Sequence, residues 1–243
     1  MLAHCVGTVR AFTVSNEATK AVGQRGGLEL CRSVLSRHGG DRDAARATVA
    51  LVRNLAANDD YKAKMGADET LALVVGAMSA HEGDGVVVEH GLASFAQLTL
   101  RNVKNANKIC ETNGAEVALQ AMRAHPAKQA LQRQGCLALR NIVSRNRDLC
   151  PLLLDLGAED VIRQAGNHAG AVDTAYAALR DLGCEAEVTT WVQTDKGMVM
   201  QKGPEMFGQG SNKGFNTTVA TTNGIEDRMN EAAEAPGAND PNW

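Results

Sequence analysis

Variants of one short segment, Cys136-Leu137-Ala138-Leu139-Arg140-Asn141-Ile142-Val143, recur along this chain at a nearly fixed interval. With the arginine as the anchor, the steps between copies are 43, 48, 39 and 40 residues, and the copies are centred on Arg10, Arg53, Arg101, Arg140 and Arg180. A short helical unit repeated at such a period cannot bury its apolar face alone and must stack on its neighbours. The spacing therefore predicts an all-α solenoid, with four repeat units over residues 16–188.

The composition favours the same architecture. Hydrophobic residues make up 44% of the chain and aromatic residues only 3%, so the core must consist of Leu, Val, Ile, Ala and Met. Such a core suits close helix packing better than a sandwich or barrel. The six cysteines form no C-x-x-C pair, and we expect them to be small buried residues in a reducing compartment.

The charge distribution and the lack of long apolar runs argue against two classes of protein, those that bind nucleic acid and those that insert into membranes. The net charge of −3 arises after Thr189, since the chain before it carries 21 basic and 21 acidic residues. This balance argues against nucleic acid as a partner. No apolar run approaches about 18 residues and no signal-peptide pattern opens the chain, which predicts a cytoplasmic protein with no membrane insertion.

Both ends of the chain differ from the repeat units. Residues 1–15 match only the last helix of a unit, and Leu2, Val6, Val9 and Phe12 lie on it at helical spacing. Because solenoids ordinarily end in a polar cap, we expect either preceding chain or a partner to cover this apolar flank. Residues 189–243 show no sustained period and are predicted to be an irregular, extended tail. The candidate partner contacts of the tail are its aromatic residues Trp191, Phe207 and Phe215.

Each unit is predicted to hold a short first helix, a glycine hinge, a second helix, a polar turn and a long third helix. The residues just before the anchor share a helix face with the residues three positions later, and should form one stacked apolar seam. These residues are Val52, Leu100, Leu139 and Leu179. The arginine and the residue after it flank the seam and form the candidate partner-binding groove: Arg53, Asn54, Arg101, Asn102, Arg140, Asn141, Arg180 and Asp181.

The arginine row permits two interpretations. Neighbouring helices pack about 8–10 Å apart, which matches about three residues of extended chain, so one acidic or carbonyl-rich peptide could meet successive units. Alternatively, the arginines tie adjacent units together through ion pairs or helix-end carbonyls. Groove contact is favoured for Arg53, Arg101 and Arg140, which precede asparagine, while both interpretations stay open for Arg10 and Arg180.

These features resemble armadillo repeats: three-helix units of about 40 residues, Gly-Ala hinges, and a Leu-Arg-Asn third helix, over residues 2–188. A narrower likeness within the family lies in the last two units, in residues 156–162 and 177–184. The resemblance implies a right-handed superhelix whose third helices line a concave groove for extended peptides, without enzymatic activity. It also implies that the asparagines hydrogen-bond a ligand backbone. Nuclear-signal binders of the family carry tryptophan one turn earlier, where this chain has Gly7, Ala50, Leu98, Leu137 and Ala177.

Histidines recur near the ends of the second helices, at His38, His81, His125 and His168. They lie one unit apart and cannot converge on one ion, so we predict no metal site and attribute them to favourable placement at helix C-termini. No Cys-His or Ser-His-Asp arrangement stands out. The sequence thus predicts no catalytic residues, no cofactor and no small-molecule substrate.

The predicted function is that of a non-enzymatic protein-interaction scaffold. It would be a structural subunit of a large assembly, with the ciliary axoneme as one candidate, located in the cytoplasm or the cytoskeleton of a cilium or flagellum. Its contacts would be the groove, the N-terminal end and the tail. The alternative is a soluble cargo adaptor that binds extended acidic peptides reversibly.

Overall fold

The computed structural model describes residues 1–186, 189–194 and 197–202. They fall into two units, one that ends at Val188 and one that begins at Thr189. The first unit is built of helices connected by short turns. Their bounds are α1 Leu2–Ala11, α2 Asn16–Val22, α3 Leu28–His38, α4 Arg42–Leu55, α5 Asp59–Ala67, α6 Thr70–Ala80, α7 Gly85–Thr99, α8 Val103–Glu111, α9 Gly114–Ala124, α10 Gln129–Val143, α11 Cys150–Asp155, α12 Ala158–Ala165 and α13 Val172–Leu182.

The helices are arranged as one lone third helix followed by four three-helix units. Helix α1 is the lone third helix, and the units are α2–α4, α5–α7, α8–α10 and α11–α13. The third helices α1, α4, α7, α10 and α13 pack one on the next, and the second helices α3, α6, α9 and α12 form a parallel row of their own. One continuous apolar core extends from Val6 to Leu182. The architecture is the all-α solenoid that the repeat spacing predicts.

Local sequence sets where these helices begin. The third helices α4 and α7 start after an aspartate whose carboxylate accepts a backbone hydrogen bond, from Ala44 to Asp41 at 2.8 Å and from Val86 to Asp84 at 2.9 Å. Between α11 and α12, Gly157 has a φ of 76°, in the left-handed region that a residue with a Cβ enters only at a cost. The predicted glycine hinge is therefore realised at this point of the chain.

The apolar seam forms, but the prediction for its second unit was wrong. Val52, Leu139 and Leu179 are buried in the common core, whereas Leu100 lies beyond the end of α7 and is 40% exposed. Phe95, which is fully buried in the same core, takes the seam position instead. The matching segment of α7 is thus Phe95-Ala96-Gln97-Leu98, and the anchors Arg10, Arg53, Ala96, Arg140 and Arg180 are spaced by 43, 43, 44 and 40 residues.

A second observation supports this corrected register. Gly91 of α7 lies against Met78 from the second helix of its unit, and Gly135 of α10 lies against Met122 in the same way. The two glycines are 44 residues apart, like Ala96 and Arg140. The third unit consequently begins with α8 at Val103, and the predicted step of 48 residues after Arg53 becomes one of 43 residues.

The recurrent histidines connect successive units. The ring Nε2 of His81 donates to the carbonyl of Gly39 at 2.8 Å, that of His125 to Glu82 at 2.7 Å, and that of His168 to Pro126 at 2.6 Å. Each acceptor directly follows the histidine position of the preceding unit. The histidines therefore form a ladder of hydrogen bonds along the row of second helices, and we call this set the histidine ladder.

The unit that begins at Thr189 contains a two-stranded antiparallel sheet, which corrects the predicted irregular course at this point. Strand β1 is Thr189–Thr194 and strand β2 is Gly197–Lys202, with Trp191 paired to Met200. Threonine, valine and tryptophan favour extended backbone, and two residues separate the strands, the commonest length of a hairpin loop. The other candidate tail contacts, Phe207 and Phe215, lie outside the described residues.

The cysteines differ in exposure, which predicts their reactivity. Cys31 and Cys136 are buried, and burial raises the pKa of each thiol to about 12. Because the thiolate is the reactive form, these two should resist alkylation in the folded protein. Cys5 is exposed on α1 and should react first.

Timed iodoacetamide labelling followed by peptide mass spectrometry checks this order. Labelling in denaturant is the control, since all six thiols should then react at similar rates. Equal rates for Cys5 and Cys136 in native buffer would contradict the burial described here.

Candidate partner-binding groove

The predicted groove residues do not all share one surface. Arg53 and Asn54 lie on α4, Arg140 and Asn141 on α10, and Arg180 and Asp181 on α13. The structure does not bring Arg101 and Asn102 into this row of third helices. Both follow the end of α7, where Arg101 has a φ of 57°. Asn102 is instead the cap of α8, where its side-chain oxygen accepts a hydrogen bond from the backbone of Asn105 at 3.0 Å.

In the C-terminal half, the arginines of the row bind a carboxylate of the protein itself. Asp181 is 7% exposed and accepts from Arg140 Nε at 3.0 Å and from the guanidinium of Arg180 at 2.9 Å. Arg147 donates to the backbone carbonyl of Asp181. Since Arg140 and Asp181 belong to successive units, this contact is a tie between repeats. Here the structure supports the second interpretation of the arginine row.

Removing the shared carboxylate should weaken this end of the array. Asp181→Ala leaves the guanidinium groups of Arg140 and Arg180 without their acceptor, and we expect a loss of about 1–3 kcal/mol in the free energy of unfolding. Urea denaturation followed by circular dichroism measures it.

Asp155→Ala is the matched control, because Asp155 is an exposed residue at the end of α11. It should change the free energy of unfolding by less than about 0.5 kcal/mol. Equal effects of the two substitutions would show that the tie at Asp181 contributes nothing.

In the N-terminal half, three exposed arginines converge on the third-helix surface without such a carboxylate. Arg10 lies on α1, and Arg46 and Arg53 lie two helical turns apart on α4. Among the residues that the structure describes, no carboxylate lies within 4.0 Å of any of these three guanidinium groups. An open cavity of about 990 Å³ is lined by Arg10 and Arg46 together with the small residues Gly7 and Ala50. The guanidinium groups are therefore available to an anion from outside.

His90 of α7 completes this surface. It lines the same cavity, and its ring Nδ1 is buried without a hydrogen-bond partner. Burial lowers the pKa of His90, and the positive charges of Arg53, Arg10 and Arg46 lower it further. We call Arg10, Arg46, Arg53 and His90 the basic cluster. Asp41 and Asp43 also line the cavity, but among the described residues neither lies within 4.0 Å of the guanidinium groups of the cluster. The three arginines of the cluster can therefore bind an anionic ligand.

The asparagines that follow the anchors also connect units. Asn54 Nδ2 donates to Thr13 Oγ1 at 2.7 Å, and Asn141 Nδ2 donates to the backbone carbonyl of Ala96 at 2.8 Å. Each asparagine therefore donates one side-chain hydrogen bond to an acceptor on the preceding unit. Gln97, the counterpart on α7, lines a second open cavity together with Arg53 and Asn54.

Sequence analysis missed Arg46, His90 and Gln97. Arg46 and Arg53 are seven residues apart, which places them on one face of a helix, so this pair could have been found. His90 and Gln97 were hidden by the register error in the second unit, which placed its third helix too late in the chain. Neither residue follows the repeated Leu-Arg-Asn pattern.

The N-terminal flank is only partly uncovered. Val6 is fully buried in the core that α1 shares with α4, and Leu2 and Val9 are half-buried. Phe12 is 64% exposed and lies over an apolar groove of about 560 Å³ that Val9, Ala18, Val22 and Leu30 also line. Of the four predicted end residues, Phe12 is the one that most needs cover, and Val6 needs none.

The described residues form neither a metal site nor a membrane-spanning helix. No group of three or more His, Cys, Asp or Glu side chains in residues 1–186 is placed to hold a metal ion. Within the described part of the chain, each helix is too short or too polar to cross a bilayer.

Comparison with known proteins identifies the fold. No family model and no curated protein matches the chain. A designed armadillo repeat protein has a TM-score of 0.66 at 17% identity, covering 74% of this chain and 74% of its own. The crystal structure of an engineered protein has a TM-score of 0.64 at 19% identity, covering 74% of this chain and 72% of that one. The predicted armadillo-type α-solenoid is thereby confirmed.

Proposed function

We propose that this chain is a non-enzymatic, cytoplasmic protein-interaction scaffold that holds an extended acidic segment of a partner protein along its third helices. The observation that supports the proposal is the contrast between the two halves of the arginine row. Arg140 and Arg180 are bound to Asp181, whereas Arg10, Arg46 and Arg53 have no carboxylate within ion-pair distance among the described residues. Anionic contact is therefore assigned to the basic cluster.

The spacing of the third helices specifies the ligand further. Adjacent helices pack about 8–10 Å apart, and an extended chain advances about 3.3 Å per residue. A peptide that crosses α1, α4 and α7 would thus present acidic side chains about three residues apart. Arginine binds carboxylates through paired hydrogen bonds, and Gln97 offers both a donor and an acceptor to the peptide backbone.

This arrangement favours a reversible adaptor over a permanent structural subunit. Contacts between exposed guanidinium groups and carboxylates are screened by salt and exchange readily, whereas permanent interfaces are mainly apolar. A place in a large assembly such as the ciliary axoneme stays a prediction from the sequence. So does the narrower likeness of Leu156–Ile162 and Ala177–Cys184 to armadillo repeat-containing protein 6.

A peptide titration tests the proposed function. The probe is a fluorescein-labelled peptide of four Asp-Ser-Ser triplets, and the control is the same peptide with lysine for aspartate. Fluorescence anisotropy at low salt should give a dissociation constant on the order of 10 μM for the acidic peptide. The affinity should fall as sodium chloride is added. Equal binding of both peptides, or none of either, would contradict acidic-peptide recognition.

A further inference from the structure

A charged residue occupies the same position on three neighbouring third helices, with alternating sign. Arg46, Glu89 and Arg133 are each the fifth residue of their helix, on α4, α7 and α10. They are spaced by 43 and 44 residues, the same intervals that separate the anchors of these helices in the corrected register. The three side chains are therefore equivalent positions of successive units, and we call them the charge row.

Glu89 lies on the same surface as the basic cluster. Of the residues described in α7, those that are not buried are Val86, Glu89, His90 and Gln97. His90 and Gln97 each line one of the open cavities of this surface. Positions 86, 89, 90 and 97 follow one face of a helix, so Glu89 faces the same side of α7 as the two cavity-lining residues.

The charges of the row are not neutralised by ion pairs within the described part of the chain. No Lys or Arg nitrogen there lies within 4.0 Å of the Glu89 carboxylate, and no carboxylate lies that close to Arg46 or Arg133. In the C-terminal half, by contrast, Arg140 and Asp181 of successive units are in direct contact. Arg46 and Arg133 are exposed and Glu89 is half-buried, so a molecule that crosses the row can reach all three.

The spacing of the charge row matches that of side chains along an extended peptide. Equivalent positions on packed helices are about 8–10 Å apart. A chain in the polyproline II conformation advances about 3.1 Å per residue and has three residues per turn. Every third side chain then points to one side, about 9 Å from the previous one. Such a chain can place three side chains of this kind over α4, α7 and α10.

We propose that the bound partner segment carries a basic residue over α7, between acidic residues over α4 and α10. Glu89 is then the residue that selects the basic side chain, while Arg46 and Arg133 select the acidic ones. The proposal rests on the proposed function and specifies the charge pattern of its ligand. The pattern, acidic-x-x-basic-x-x-acidic, reads the same in both chain directions. For a lysine, the alkyl stem can pack on Val86, one turn before Glu89 on the same face.

A uniformly acidic segment fits this row less well. Its side chain over α7 would face the Glu89 carboxylate, and like charges placed opposite each other at an interface cost affinity. The arginines of α4 and α10 lie about one helix spacing away, close to the Debye length of about 8 Å at physiological ionic strength. Their attraction is therefore weakened at α7, where the carboxylate of Glu89 is the charge that the ligand meets.

Two fluorescein-labelled peptides test the charge pattern. One is the peptide of four Asp-Ser-Ser triplets, and the other has lysine in place of its third aspartate. Fluorescence anisotropy at low salt should show that the lysine peptide binds the wild-type protein about fivefold more tightly, although its net negative charge is smaller. Glu89→Gln should abolish this preference, and Glu89→Lys should reverse it. Circular dichroism checks that both variants are folded.

Glu111→Lys is the matched control, because it makes the same change in net charge at an exposed residue of a first helix, the end of α8. It should leave the preference for the lysine peptide unchanged. Three results would overturn the proposal: equal or tighter binding of the all-aspartate peptide by the wild-type protein, an unchanged preference in the Glu89→Gln variant, or a loss of preference in the Glu111→Lys variant. In the first case acidic-peptide recognition itself would stand. Binding of neither peptide would overturn both proposals.

Discussion

Replacing Arg10 and Arg53 together with glutamate is expected to weaken binding of the acidic peptide by about 100-fold or more. Each substitution removes an attractive charge and introduces a repulsive one, and a like charge opposite a ligand carboxylate costs as much as the lost attraction. Both side chains are exposed and pair with no carboxylate in the part of the chain that the structure describes, so the double substitution should leave the fold intact. Fluorescence anisotropy with the Asp-Ser-Ser peptide measures the affinity, and circular dichroism checks the fold.

The matched control is Arg37→Glu combined with Arg101→Glu. It makes the same change in net charge at two exposed arginines, one at the end of α3 and one in the turn after α7. If the basic cluster holds the ligand, the control should change the affinity by less than about threefold, because neither arginine belongs to the cluster and an exposed charge that does not contact the ligand acts only through a screened attraction. Equal losses in the two double variants would mean that only the overall charge matters, and the assignment to the basic cluster would be wrong.

Phe95→Ala is expected to have the largest effect on stability. Phe95 is fully buried where α7 contacts its neighbouring third helices, and removal of a buried phenylalanine side chain typically costs about 3–5 kcal/mol. Because solenoid units depend on their neighbours, the loss should reach α4 and α10 as well. Urea denaturation monitored by circular dichroism gives the change in the free energy of unfolding.

Leu100→Ala provides the comparison that tests the register of the second unit. Leu100 follows the third helix and is 40% exposed, so its truncation should cost less than about 1 kcal/mol. The sequence pattern alone predicts the reverse order, since it places Leu100 in the seam. A larger loss for Leu100→Ala than for Phe95→Ala would refute the register described here.

The wrong placement of Arg101 shows that a repeated sequence motif alone does not determine which helix a residue belongs to. Repeat spacing correctly predicted the fold, since the period of the apolar residues reflects how units must stack. The triplet Leu100-Arg101-Asn102 repeats the letters of the third helix, but there the asparagine caps the next helix. Asparagine serves both purposes well. The burial of Phe95, the exposure of Leu100 and the matching contacts of Gly91 and Gly135 separate the two roles.

The division of the arginine row could not be predicted for a different reason. Whether an arginine meets a ligand or a neighbouring carboxylate depends on how adjacent helices are rotated, which one sequence does not reveal. Asp181 stands where other units carry Asn54, Gln97 or Asn141, and that single carboxylate engages two arginines. The sequence analysis favoured groove contact for Arg53, Arg101 and Arg140 and left both interpretations open for Arg10 and Arg180. In the structure Arg140 instead binds Asp181 of the next unit, whereas groove contact for Arg10 and Arg53 stays a prediction.

The histidine ladder has a consequence for how the sequence of the array can vary. Each ring donates to a backbone carbonyl, so the acceptor does not depend on the side chain of the residue that supplies it, and Gly39, Glu82 and Pro126 serve alike. Substitutions at these acceptor positions should therefore leave the contact between successive units in place.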